Sequence, residues 1–215
     1  MQWQFVPALL NGLSVTLFYF ALGTIGSMVL ALPVSLAMAH KHRLIRLPAI
    51  AYVEFFRNTP LLVQLFWLHF ALPMLTGFNT SVQQTAGIAI VLVMTAYMAE
   101  VYRSGLGGVA KGQHEAAFAL GLTSAQRWWL VVIPQAFRIA LPAIGNTLVS
   151  LLKATAILSI LSVPELMRTT SRISDYTADP ILFYSISALI YIALGLLLAQ
   201  VTRRIELRLA RWGAP

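Results

Sequence analysis

The chain contains no cysteine, and only 10% of its 215 residues are charged. The first absence removes disulfides, thiolate nucleophiles and sulfur-ligated metals from its chemistry. The second removes the solvated surface that a water-soluble fold of this length carries. Acidic residues are the scarcest charged type, with seven Asp and Glu against fifteen Lys and Arg. The four histidines, His40, His42, His69 and His114, share no metal-ligand spacing with those carboxylates on one face. What remains is apolar: 59% of residues are hydrophobic and the mean hydropathy is +0.78. A soluble helical core can hide one long apolar stretch. This chain has five, near residues 9–39, 49–75, 86–106, 139–163 and 181–201, each matching the roughly 20 residues that a bilayer crossing takes. The sequence therefore predicts an all-α integral membrane protein with five transmembrane helices, forming one domain over 1–215.

Charge between the runs gives the direction, because Lys and Arg are retained on the cytoplasmic side. Lys41, Arg43 and Arg46 follow the first run; Arg103, Lys111, Arg127 and Arg138 follow the third; Arg203, Arg204, Arg208 and Arg211 close the chain. All of these fall on one side. The other side has an uncharged connection over 74–85, and one over 164–180 in which Glu165, Asp175 and Asp179 outweigh Arg168 and Arg172. The N-terminus is thus expected outside and the C-terminus in the cytoplasm. The first run is too long for a removable signal and lacks a small-residue cleavage site, so it is expected to stay. The tail, where Ile205, Leu207 and Leu209 alternate with charge, is expected to continue the last helix near the lipid surface. A net charge of +8 spread over three membrane-flanking segments, without interleaved aromatics, matches anionic lipid rather than nucleic acid.

The connection over about 107–138 is long for a helical bundle, and such loops usually carry function. A short helix is expected to begin near His114, placing Glu115 in the first turn where the helix dipole favours a carboxylate. Ala116, Ala117 and Ala119 permit close approach, Phe118 and Leu122 form an apolar stripe, and Gly121 supplies the stop. Thr123 or Ser124 then caps a second short helix carrying Trp128 and Trp129, before Pro134 and Pro142 break the approach to the fourth span. Such a segment is either a knob that docks on another protein or an interfacial hairpin that braces the bundle. Residue chemistry alone weighs the two evenly.

Glu115-Ala116-Ala117 through Gly121, followed after nine residues by Val131-Val132-Ile133-Pro134, resembles the EAA loop of ATP-binding-cassette importer permeases. Val131 stands where isoleucine is usual. The resemblance implies a type I importer permease fold whose coupling helix, between spans 3 and 4, contacts a separate ATPase through Glu115, Ala116, Ala117, Phe118, Gly121 and Leu122. It further implies two cytoplasmic ATP-binding-cassette subunits, a second permease subunit (identical or homologous), an extracytoplasmic binding protein and a bacterial inner membrane. This chain is then no enzyme and binds no cofactor, since ATP and magnesium belong to the ATPase. Its own glycine-rich stretch, Gly105 to Gly112, lacks the Gly-Lys-Ser/Thr order of a phosphate loop.

Ionisable residues within apolar runs are costly and mark candidate sites. Glu54 and Arg57, three apart, can pair on one helical face, while Pro60 demands a helix start or kink that Asn58 or Thr59 can cap. The stretch from Glu54 through Gln64 resembles the Glu-x-Phe-Arg-x-Thr-Pro-Leu-Leu-Val-Gln segment of the polar amino-acid branch of these permeases. Glu100 and Arg103 repeat the spacing of three and are read as packing against the loop or as a gate. Lys153 lies about 20 Å along the fourth span, near the middle of the bilayer. It is a candidate for the translocation path with Ser150, Thr155 and Gln64, there to hold an anionic group; the competing reading is a structural lysine bound to Glu54, Glu100 or helix carbonyls. Ala154 stands where relatives commonly carry a carboxamide or Asp, which removes a partner for a cationic substrate.

Taken with the resemblance, the expected function is ATP-driven import of a polar amino acid, with glutamate/aspartate-type or glutamine-like cargo favoured over basic. The alternative is an ion-coupled secondary transporter or channel subunit. That class needs a chain of titratable residues, of which only Glu54, Glu100 and Lys153 are near the bilayer.

Overall fold

The longest apolar run folds as one helix, α1 (Val6–Met38), entered through a tight 3-10 turn at Gln2–Phe5. The computed structural model describes residues 2–210 and contains helices and their connections throughout. After α1 come α2 (Arg43–Asn58), α3 (Leu61–Phe66) and α4 (Leu72–Thr76), the last two joined by a wide π turn at Trp67–Ala71. The long α5 (Val82–Gly107) precedes α6 (Lys111–Ala119) and α7 (Ser124–Gln126). A second π turn, Arg127–Val132, runs into α8 (Ile133–Ala154) and a 3-10 segment, Thr155–Leu161. α9 (Leu166–Thr177) and α10 (Pro180–Ala210) complete the described chain. Four stretches, Trp3–Met38, Val82–Gly107, Ser124–Leu161 and Pro180–Leu209, are long and apolar enough to cross a membrane. The bent pair Arg43–Asn58 and Leu61–Thr76 makes a fifth if it is one crossing.

Two expectations need correction. The run over 49–75 does break at Pro60, turning by 108° between α2 and α3, but without the expected cap. Thr59 precedes a proline and is forced extended, at φ −109 and ψ 139. Neither Asn58 nor Thr59 caps α3: Asn58 Nδ2 donates to Glu54 Oε2 at 2.8 Å, and Thr59 Oγ1 donates to the Phe55 carbonyl at 2.7 Å. The fourth run, conversely, is unbroken from Ser124 to Leu161. Pro134 stands immediately after the π turn Arg127–Val132, whose wider winding accommodates the missing N–H within the run, and Pro142 sits inside the helix without ending it. At the C-terminal end α10 does extend past the apolar run, while Arg211 lies outside the described residues.

Small residues position the bundle. On α1, Gly12, Thr16, Gly23, Ser27, Ala31 and Ser35 are buried at steps of four or seven, forming a stripe on a helix that packs chiefly on α5. α5 answers with buried Ala86, Ala89, Ala96 and Ala99, and itself packs on α8. With no water to exclude inside a bilayer, close backbone approach of this kind is what holds helices together. It is closest at Gly105, where an added Cβ would stand 2.7 Å from the Ala136 carbonyl oxygen and 2.8 Å from Ala140 Cβ.

At the end of the bundle opposite α6, by connectivity, the fully buried Glu165 caps α9. Its carboxylate accepts from the Arg168 N–H at 2.7 Å, the Met167 N–H at 2.9 Å and the Tyr191 hydroxyl at 3.0 Å. Thr16 of α1 accepts from the Leu166 N–H at 3.1 Å and lies 3.5 Å from the same carboxylate. One acid thus ties α1, α9 and α10 together. Burial pushes its carboxyl above the ordinary value of 4.5, against the pull of these donors.

Two measurements follow from this packing. Gly105→Ala is expected to cost about 1–3 kcal/mol in detergent thermal unfolding, whereas Gly107→Ala, with nothing within 4 Å of its added Cβ, should be near neutral. Between the ordinary and raised carboxyl values the folded state binds more protons than the unfolded state, so Glu165 makes stability fall as pH rises through that window. Melting curves from pH 4.5 upward should show this slope, and Glu165→Gln should remove it; equal slopes would deny Glu165 the role.

Candidate functional site

The loop between α5 and α8 is a built structure rather than a tether. α6 begins at Lys111, one turn earlier than expected, so Glu115 lies beyond its first turn and away from the positive end of the helix dipole. At the other end the Gly121 N–H donates to the Phe118 carbonyl at 2.9 Å and the Leu122 N–H to the Ala117 carbonyl at 3.1 Å. This is a Schellman stop, and it needs the left-handed φ of +74 that Gly121 adopts. Thr123 then caps α7 reciprocally with Gln126, whose N–H donates to Thr123 Oγ1 at 3.3 Å while its Oε1 accepts from the Thr123 N–H at 2.9 Å. α6 leans on the π turn below it, and Gln135 Nε2 donates to Gln113 Oε1 at 3.1 Å, fixing the loop to the start of α8.

Glu115, Ala116, Phe118 and Gly121 face outward, Leu122 is half-buried, and Ala117 is buried against the loop's own packing. The outward apolar pair is Phe118, 72% exposed, with Leu120, 80% exposed. The expected stripe of Phe118 and Leu122 is therefore corrected. Helical spacing stops applying after Ala119, where the chain leaves the helix, and Leu120 takes the outer position. Its one sequence signal is an apolar residue immediately before the glycine stop.

A cavity of about 590 Å³ opens where the α2–α3 break faces α5 and α8. Its polar lining is Arg57, Asn58 and Thr59 from the break, Tyr97 from α5, and Asn146, Thr147 and Ser150 from α8. Of the four expected path residues, Ser150 lines this cavity and the other three do not. Lys153 is exposed, one turn beyond Ser150, so that Asn146, Ser150 and Lys153 share one outward face of α8. Thr155, two positions further, is fully buried and gives its hydroxyl to the Leu152 carbonyl at 2.7 Å. Gln64 is buried as well; its Nε2 donates to the Phe56 carbonyl at 3.2 Å and the Thr59 carbonyl at 3.1 Å, bracing the bend. Asn146 and Thr147 escaped the sequence reading, although Asn146 lies four before Ser150, at helical spacing.

The ion pairs also differ from the local spacing. Glu54 is occupied by Asn58, and Arg57 instead reaches α5, where its Nη1 stands 4.0 Å from Glu100 Oε2 and its Cζ 5.8 Å from the Tyr97 ring centroid. The Tyr97 hydroxyl donates to the Arg57 carbonyl at 3.3 Å. Glu100 and Arg103 do pair: Nε donates to Oε2 at 2.8 Å and Nη2 to the other carboxylate oxygen. Among the described residues no ion pair involves Lys153, so it is not held by Glu54 or Glu100.

This arrangement can be set beside known proteins. The model of the family described as "Binding-protein-dependent transport system inner membrane component" matches residues 31–211. The chain is 38% identical to the L-cystine transport system permease protein TcyB of Bacillus subtilis (strain 168), covering all of this chain and 92% of that protein. It is 33% identical to the arginine transport system permease protein ArtQ of the same organism, over 95% of this chain and 93% of the relative. Among solved structures, one described as an amino acid ABC transporter with histidines superposes with a TM-score of 0.89 at 33% identity, covering 95% of both chains. The helix order, the type I permease fold and these matches agree: the chain belongs to the family of inner membrane components of binding-protein-dependent transport systems.

Proposed function

We propose that this chain forms the translocation path of an ATP-driven importer for a polar amino acid, with glutamate/aspartate-type or glutamine-like cargo favoured over basic. The observation that carries the reading is a rigid, Schellman-stopped α6 that presents Phe118 and Leu120 and packs on the start of the unbroken run Ser124–Leu161, which brings Ser150 to a polar cavity. α6 is the coupling helix: its two apolar side chains enter a groove of an ATP-binding-cassette subunit, with Glu115, Ala116, Gly121 and Leu122 around them. Two such subunits hold the ATP and magnesium. A second permease, identical or homologous, covers the outward face of Asn146, Ser150 and Lys153, because a polar face left against lipid is costly. An extracytoplasmic binding protein delivers cargo at the α9 end. The N-terminus is outside and the C-terminus in the cytoplasm of a bacterial inner membrane. Nucleotide-dependent contact with α6 shifts the population between inward- and outward-open states.

The relatives are named for different amino acids, cystine and arginine, so cargo preference rests on this chain's own residues. Among the described residues no carboxylate lines the cavity, Ala154 forms part of its wall, and Lys153 stands one turn from Ser150. That favours an anionic or neutral side chain.

The test is uptake of labelled glutamate, glutamine, histidine and arginine into proteoliposomes holding this chain with its ATPase, sister permease and binding protein. ATP-dependent uptake of one of them is expected, and Phe118→Ser with Leu120→Ser should cut it roughly tenfold or more, as loss of a buried apolar anchor does, without lowering the melting temperature. Uptake driven by an ion gradient without ATP would reject the importer and favour an ion-coupled carrier.

A further inference from the structure

We propose that a second cavity, between the ends of α1 and α5 that lie opposite α6, binds one phospholipid with a zwitterionic headgroup, drawn from the leaflet on that side. The site is separate from the cavity that Arg57 lines, and the proposal stands whatever cargo the chain carries.

The volume is about 850 Å³, within the range of small-molecule sites. Its walls are two helices that descend together, as their successive contacts show: Tyr19 with Gln83, Leu22 with Gly87, then Gly26 with Val91. The last contact closes the slot at depth. A Cβ added to Gly26 would stand 2.9 Å from Val91 Cγ2, so the helices meet there. Nearer the α4–α5 connection they are joined by the Tyr19 hydroxyl, which donates to the Gln83 carbonyl at 3.1 Å. The cavity follows α5 from Gln84 to Leu92, about 12 Å of helix. That is most of the hydrocarbon depth of one leaflet, about 15 Å.

The lining is sorted by polarity along that length. Asn79, Thr80, Gln83 and Gln84 stand at the mouth, where exposed Phe18 and Phe78 also contribute. Below them the walls are apolar, with Leu22 from α1 and Ile88, Val91 and Leu92 from α5, and Gly87 adds no side chain midway, which widens the slot. Thr80 is engaged with the Thr85 hydroxyl at 2.7 Å, but the carboxamides have capacity to spare. Gln84 Oε1 accepts from the Ser81 N–H at 2.9 Å in the cap of α5, leaving its Nε2 hydrogens for a ligand. Asn79 Nδ2 reaches the Gly77 carbonyl only at a long 3.5 Å, and Gln83 is exposed. Carboxamides serve both ends of a zwitterion, because their N–H groups donate to phosphate and ester oxygens while the Asn79 and Gln83 oxygens accept from an ammonium. Among the described residues no charged side chain lines the cavity, and the connection over 74–85 carries none, so net charge gives an anionic headgroup no advantage. An apolar helix laid in the same slot would leave these amides without partners. A phospholipid brings oxygens to their level and acyl chain to the walls below.

The test uses the assembled transporter with this full chain, extracted from vesicles of equal phosphatidylethanolamine and phosphatidylglycerol and followed by native mass spectrometry through progressive delipidation. Wild type is expected to keep phosphatidylethanolamine on each copy of this chain after the bulk lipid has gone. Ile88→Trp, which fills the slot from an exposed position, should lose it, while Leu189→Trp on the outer face of α10 should keep it. Gln83→Leu should weaken retention roughly fivefold, the scale of one lost hydrogen bond. A wild type that keeps no lipid, or that keeps phosphatidylglycerol as readily, would overturn the site, as would equal retention in Ile88→Trp. An Ile88→Trp complex whose permease subunits separate would overturn it too, by assigning the slot to the second permease. If Ile88→Trp does not fold, the pair Gln83→Leu with Asn79→Leu decides: weakened retention supports the site and unchanged retention rejects it. Failure of ATP-dependent uptake bears on the importer reading and leaves this lipid count unaffected.

Discussion

Close approach of α1, α5 and α8 through small side chains is the constraint on which everything else depends. In a bilayer the hydrophobic effect cannot drive one helix onto another, so contact must come from dispersion between backbones that can come near. The stripe from Gly12 to Ser35 on α1 and the alanines of α5 supply that contact. Gly105 extends it to the start of α8, where its hydrogen faces the Ala136 carbonyl. With these helices locked, α8 has one face buried against the bundle and one left over. The left-over face carries Asn146, Ser150 and Lys153.

That partition also joins the α5–α8 loop to the cavity through one helix. The stretch Ser124–Leu161 is continuous, so α6, packed on its π turn, and Ser150, on its outward face, belong to one lever. Had Pro134 or Pro142 broken the helix, as their positions suggest, motion of α6 would be lost at the break. The break lies elsewhere, at Thr59–Pro60, and there it aims Arg57 at α5 and opens the cavity wall facing the lever. At the far end Glu165 joins α1, α9 and α10 through one buried carboxylate, so the end of the lever meets a fixed point.

Features governed by local chemistry were legible in the sequence. Apolar length gave α1, α5 and α10; Gly121 gave the helix stop, and the following cap was narrowed to Thr123 or Ser124, of which the fold uses Thr123, because a left-handed glycine and a capping hydroxyl act within four residues. What depends on distant neighbours was not. Pro60 announces a break without its angle, and spacing of three fits Glu54 with Arg57 as well as Glu100 with Arg103, so the approach of Arg57 to Glu100 across two helices had no signal. Ala117 is small enough for either a docking face or a packed one, and only the fold buries it. Glu165 read as one acid among several in a connection, since burial of a loop carboxylate is set by α1 and α10. Thr155 was misread for a simpler reason: two residues past Lys153 is the opposite side of a helix.

The most direct measurement exploits the absence of cysteine. A single Ser150→Cys in the assembled, transport-active complex would be treated with a membrane-impermeant maleimide with and without ATP, beside a Leu189→Cys control on the outer face of α10, where the side chain is 65% exposed. Ser150→Cys is expected to react, at a rate that changes with nucleotide, while Leu189→Cys stays unlabelled in lipid. Protection of Ser150→Cys in every nucleotide state, in a complex that still transports, would contradict a path along the outward face of α8.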